Sequence, residues 1–251
     1  DATAPLPPYT ISKSLSSGWA WRIPLSTNTG FGYVYSSEHL TDAEAKKELA
    51  IEFDLNADLL TQPPIEMKIG CRPKSWVHNC VAIGLSSGFT EPLESSGIHM
   101  IQMAIETLLD LFPDKTMNSS LQDSFNSRIY QSFMAIKDFL LIHYLFSATQ
   151  DGAFWEDARN VAMSPRLNAI LENYREHGWI GVAGDEVFGE ASFHHLLSGC
   201  SVLPRRPHRL SEMVARDEII AIMDQIRGRN SEVVSKMPEQ SLLIDFFMNS
   251  P

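Results

Sequence analysis

The chain has 251 residues, 44% hydrophobic and 20% charged, with 14 Gly and 14 Pro, the composition of a globular protein with ample core. Thirty-one Asp and Glu against 20 Lys and Arg give a formal charge of −11, which argues against a phosphate-backbone binder, so nucleic acid is not an expected partner. Three cysteines (Cys71, Cys80, Cys200) without CxxC or Cys/His spacing argue for a reducing, cytoplasmic setting and against a disulfide framework or a metal site.

The opening DATAPLPPYT has neither an initiator Met nor a secretory signal and reads as the continuation of something longer. Residues 17–37 hold two aromatic, β-branched runs around Ser26–Gly30, which predicts a hairpin. Period-two alternation puts Trp19, Trp21 and Ile23 on one face of its first strand, and Phe31, Tyr33 and Tyr35 on one face of its second. TDAEAKKELA, from Thr41 to Ala50, predicts a surface helix with a Thr N-cap. After Pro63 and Pro64, IEMKIG predicts a short strand, and 75–85 a mostly buried one in which Cys80 packs as a small hydrophobe.

Ile98, Ile101, Ile105, Leu108 and Leu109 then recur at helical spacing up to Pro113. Downstream the chain reads as helical: about 121–146 with Phe125, Ile129, Phe133, Ile136, Leu140 and Tyr144 along one stripe, then 166–177, 191–199 and 211–237. The expected class is α+β, with short hairpin and sheet segments followed by a mainly helical module. No run is long enough to span a bilayer, so no membrane partner is expected.

The densest chemistry lies in 84–97, GLSSGFTEPLESSG, a strand-to-helix turn of small residues with two carboxylates three apart. Free N–H groups at a helix start, beside Ser95, Ser96 and Gly97, form a natural anion site, and glycines let a ligand approach the main chain. The same residues also make a plain capping turn, with Glu94 and the serines satisfying orphan donors and nothing bound. Spacing alone does not separate the two.

GWAWRIPL (18–25), GYVYSS (32–37), WVHNCVAIGLSSGFTEPLESSGIHMIQ (76–102), FW (154–155) and LPRR (203–206), in that order, resemble the flavin-dependent tryptophan halogenase family. The likeness runs from about Tyr9 to Arg209, and its strongest motifs are W-x-W-x-I-P and E-P-L-E-S. It implies part of a flavoprotein-monooxygenase-like two-module fold. In such a fold reduced FAD, supplied by a separate flavin reductase, and oxygen turn chloride or bromide into hypohalous acid that travels to a small aromatic substrate. On that likeness 1–74 is a sheet segment of the substrate-facing module, 75–113 the flavin-contacting strand, loop and helix, and 114–251 the helical substrate module.

Carried over by motif, Glu94 with Ser95 would be catalytic, and Ser96 and Gly97 would offer amides to the halide. Ser86, Ser87, Gly88, Phe89, Glu91 and Pro92 would lie along the flavin, and Trp19 and Trp21 would line the tunnel. Tyr144, Phe154, Trp155 and His99 would meet the substrate. The companion of Tyr144 is His143 or Leu145, and the glutamate expected for a tryptophan amino group falls near Gln150 and Asp151, with Asn160 an uncertain match for a family asparagine. An indole-type or larger aromatic substrate is therefore expected over free tryptophan.

No G-x-G-x-x-G fingerprint and no assignable catalytic lysine occur in these residues, so the chain reads as the C-terminal half of a family member, inactive alone. A homodimer is admitted but not required. The alternatives are a flavin-dependent aromatic monooxygenase and an inactive member serving as a binding module.

Overall fold

The computed structural model describes residues 7–115, 117–147 and 152–249. In chain order its elements are β1 (Ile11–Leu15), β2 (Gly18–Pro24), β3 (Thr29–Tyr35), α1 (Asp42–Glu52), β4 (Gly70–Cys71), β5 (Trp76–Val77), β6 (Cys80–Val81) and β7 (Gly88–Phe89). Then come α2 (Gly97–Asp110), α3 (Ser119–Leu145), α4 (Ala153–Arg159), α5 (Pro165–His177), α6 (Glu190–Gly199), α7 (Arg216–Lys236) and α8 (Gln240–Asn249). They fall into two compact units, one of residues 7–62, 152–156 and 207–249, the other of 63–147 and 157–206.

In the first unit β1, β2 and β3 form an antiparallel meander, so the expected hairpin is present and gains an edge strand. Strand β1, ISKSL, carries no clean alternation, since a Ser and a Lys face solvent, and the pattern gives no notice of it. Trp19 opposes Val34 and Trp21 opposes Gly32, placing both indoles on one face of β2. The indole of Trp21 lies over Gly32, where a Cβ would stand 2.3 Å from the ring, so the glycine makes room for a cross-strand aromatic. On the opposite face Leu15, Ala20 and Leu49 of α1 form a small core with Tyr33 and Phe53. Helix α1 starts with a complete capping box between Thr41 and Glu44, as the Thr N-cap predicts.

The C-terminal part departs from expectation. Instead of one helix over 211–237, a 3₁₀ turn at Arg209–Met213 precedes α7, and α8 follows. Their large apolar residues, including Ile222, Ile226, Phe246 and Phe247, are exposed.

In the second unit α3 is the spine. Its predicted stripe, Phe125, Ile129, Phe133, Ile136 and Leu140, is buried with Trp76 and Met100, while Phe139 and Ile142 enter a second core with Leu167, Leu171, Tyr174, Phe193 and Leu197. Two strand expectations change. IEMKIG pairs only at its end, where β4 meets β7, and Ile65 and Ile69 stay exposed beyond the Pro63–Pro64 break. The single strand over 75–85 is instead a tight β5–β6 hairpin whose turn holds His78 at φ 52°, and Cys80 is exposed rather than packed. This hairpin is held from outside: Asn126 of α3 accepts from Trp76 N at 2.7 Å and donates to Trp76 O at 2.8 Å, pairing the main chain as a neighbouring strand would.

Helix α2 appears where the isoleucine spacing predicts it, with the stripe turned outward. Met100, Ala104 and Thr107 are buried, whereas Ile98 is 72% and Leu109 67% exposed, with Ile101 and Ile105 between them. Periodicity marks a helix face but not which neighbour covers it. No helix among the described residues is long and apolar enough to cross a membrane.

Candidate active site

The loop before α2 packs within the second unit. Gly84–Ser86 form a 3₁₀ turn with Gly84 at φ 69°, and Ser86 Oγ donates to Ile83 O at 2.8 Å. Ser87 is buried and shares a hydrogen bond of 2.6 Å with Ser75, so its hydroxyl serves the fold. Gly88 pairs with Cys71, and a Cβ there would meet the Cys71 Cα at 2.7 Å, a contact that demands glycine. Burial pushes the Cys71 thiol up, with Lys137 pulling the other way, so β4 sets a thiol rather than a thiolate beside the loop.

Both carboxylates of E-P-L-E-S reach the last turn of α3. Glu91 is buried and accepts from the Tyr144 hydroxyl. Glu94 Oε1 lies 2.8 Å from His143 Nε2, with the two side chains 33% and 23% exposed. Around Glu94 the chain turns sharply: Ser95 N donates to Pro92 O at 2.9 Å and Ser95 sits at φ 52°, uncommon for a residue with a side chain. Ser96 is buried, shares a 3.3 Å hydrogen bond with Thr90, and makes no side-chain capping bond.

The first helical bond of α2 therefore runs from Met100 N to Ser96 O at 3.0 Å, and the N–H groups of Gly97, Ile98 and His99 have no acceptor within the helix. A Cβ on Gly97 would meet nothing within 4 Å, so this helix start is open. Neither Glu94 nor Ser96 serves as the cap that a plain capping turn needs. Ser87, Gly88, Phe89 and Gly97 line one cavity of about 170 Å³, floored by Met100, Ile129 and Phe133. His99 is exposed.

Phe154, Trp155, Trp19 and Trp21 belong to the first unit, and Asn160 to the second. Trp155 is buried and donates its indole N–H to Leu15 O at 2.7 Å, while Phe154, half-buried, meets His39 edge-on at 5.5 Å and Trp155 at 5.1 Å. Trp19 is buried and Trp21 half-buried on their shared face of β2. Gln150 and Asp151 lie outside the described residues. Sequence reading names His143 only as a companion of Tyr144, and its pairing with Glu94 becomes visible only when α3 is folded against the loop. Among the described residues no group of three His, Cys, Asp or Glu side chains is placed to hold a metal ion.

The α+β fold of this chain is shared with flavin-dependent halogenases of known structure. The fold matches BrvH, a flavin-dependent halogenase from Brevundimonas sp. BAL3, with a TM-score of 0.88 and 31% identity over 97% of this chain and 49% of that one. Tryptophan 6-halogenase ThaL from Streptomyces albogriseolus is 30% identical over 92% of this chain and 46% of its own length. Tryptophan 7-halogenase RebH from Lentzea aerocolonigenes is 30% identical over 92% and 47%. The family model for tryptophan halogenase matches residues 1–216, and the chain belongs to that family. It spans about half the length of these curated relatives.

Proposed function

We propose that the protein containing this chain halogenates an indole-type aromatic substrate with hypohalous acid, and that this chain carries the halide and substrate site. The observation that supports it best is the turn Glu94–Gly97, where a carboxylate engaged by no cap stands three residues from an open helix start. The amides after Ser96 suit a weakly hydrated halide, which needs oriented N–H groups and no cation. Glu94 suits an aromatic carbon under electrophilic attack, because it stabilises the cationic intermediate and accepts the proton lost on rearomatisation.

Bound FAD, reduced by a separate reductase, would supply with oxygen the oxidising equivalents that turn halide into hypohalous acid. The residues of this chain fit only part of that cofactor. A cavity of about 170 Å³ with apolar lining takes an edge of a planar ring, well below the roughly 300–1,000 Å³ of a whole ligand site. Ser86, Ser87, Gly88, Phe89, Glu91 and Pro92 would flank it through their main chain, because the Ser87 hydroxyl and Glu91 carboxylate bind Ser75 and Tyr144. Trp19 and Trp21 would line the path of the oxidant.

Of the residues proposed for the substrate, Phe154 of the first unit presents an aromatic ring beside Trp155, whose N–H holds Leu15, and in the second unit the Tyr144 hydroxyl holds Glu91. That favours an indole face over a zwitterion as the recognised feature. The full-length protein, given FAD, a flavin reductase, NADH and bromide, should yield a brominated product from indole in preference to tryptophan. Changing Glu94→Gln should cut that yield by roughly 100-fold or more. A hydroxylated product, 16 Da heavier with no bromine isotope pair, would sink the proposal in favour of a monooxygenase.

A further inference from the structure

We infer that His143 is a positioning residue for Glu94: through its Nε2–H it fixes one carboxylate oxygen and leaves the other to act on the substrate. The inference rests on the halogenase reading for its chemistry, and on geometry of its own. The turn that carries Glu94 is closed by its own Ser95 N–Pro92 O bond, yet that bond leaves the Glu94 side chain unplaced. Ser95, at φ 52°, is strained for a serine, and such a conformation persists only where the surroundings over-determine it. Those surroundings include two adjacent residues of α3, with Tyr144 bonding Glu91 before the turn and His143 bonding Glu94 inside it.

The imidazole is itself braced. Its ring meets Phe139 edge-on at 5.6 Å, and Phe139 is stacked on Phe188 at 3.9 Å and abuts Phe193 at 4.9 Å. Nδ1 is buried without a hydrogen-bond partner among the described residues, so the one polar contact of the ring among them is the carboxylate. A ring braced by a packed aromatic cluster and bonded through one nitrogen is what a precise carboxylate position requires. With Oε1 held by His143, proton transfer from the reacting carbon goes to Oε2, and the imidazole keeps its proton throughout.

The test uses the full-length protein with FAD, reductase and bromide. His143→Leu should lower kcat by about 10- to 100-fold, well beyond any rise in the aromatic substrate's KM, since displacing the acceptor acts on the chemical step whether or not the imidazole also touches the substrate. His143→Gln, whose amide can donate to the same oxygen, should recover activity to within about 5-fold of the parent. In a Glu94→Gln background His143→Leu should add less than about 2-fold, because residues acting as a unit are not additive. A crystal structure of the His143→Leu protein should show the Glu94 carboxylate moved by more than about 1 Å or split between positions.

Unchanged kcat together with an unmoved Glu94 would overturn the inference, as would a Gln variant no better than Leu. If the parent makes no halogenated product, the functional reading fails and the crystal structure alone decides this one. Should His143→Leu not fold, His143→Met fills the same space without a donor and replaces it in each measurement.

Discussion

Asn126 shows how a single side chain can stand in for a strand. The β5–β6 hairpin is two residues deep on each side and could not persist alone in water. The amide of Asn126 closes both main-chain groups of the buried Trp76, whose own Nε1–H then reaches His78 O at 2.8 Å, so one helix residue fixes the segment that leads into the loop of 84–97. Replacing Asn126→Leu leaves a buried N–H and C=O without partners. We expect a loss of about 2–3 kcal/mol, read as a lowered urea midpoint with an unchanged m-value. Little of this is legible in the sequence, where Asn126 is one polar residue in a helical stripe. Trp76 and Phe125 are legible as core because large apolar groups at helix and strand spacing have one economical place to go.

At the scale of elements, the contact between α1 and the meander is electrostatically tuned. Glu48 accepts from Ser16 N at 2.9 Å, Ser16 Oγ at 2.7 Å and the Tyr33 hydroxyl at 3.0 Å, joining the β1–β2 turn, β3 and α1 through one carboxylate. Burial, with the nearby Glu48 adding to it against the bonds from Ser17 and Ser16, pushes the Tyr33 hydroxyl up to about 12 from its usual 10. The folded state thus holds this proton more tightly than the unfolded chain does. The stability it contributes is complete below pH 10 and is lost as pH rises through about 12. Urea midpoints should therefore fall between about pH 10 and 12, and Tyr33→Phe should flatten that slope; an equal slope in the variant would refute the assignment. Tyr35, raised to about 12 by burial and by Asp42, accounts for part of what remains.

The same scale shows where pattern reading stops. The capping box of α1 is visible in the sequence because its partners are three residues apart. The split of 75–85 into a hairpin is not, because it depends on an amide 50 residues away. Helix α2 is recognisable from its isoleucines, yet those residues face outward, since a 3.6-residue period is the same whichever partner covers it. The candidate loop of 84–97 is legible by motif, but the engagement of Glu91 and Glu94 by consecutive residues of α3 requires the fold.

For the whole molecule the decisive fact is what these 251 residues contain of a dinucleotide site. On the proposed reading the loop of 84–92 and the open start of α2 would meet one edge of a flavin ring, yet neither G-x-G-x-x-G nor a phosphate-cradling P-loop motif occurs anywhere in the sequence. Most of the binding free energy for a dinucleotide comes from seating its pyrophosphate and adenosine in such a site, and the cavity of about 170 Å³ offers neither a place. The exposed apolar face of α2 also leaves the loop beside surface that water, rather than protein, covers in this chain. The isolated chain should therefore bind FAD no more tightly than about 10 µM, measured by quenching of flavin fluorescence, and should form no halogenated product. Stoichiometric binding at nanomolar FAD would show that the loop and helix start hold the cofactor unaided, and main-chain contacts at one ring edge would then be too small an account of how the flavin is held.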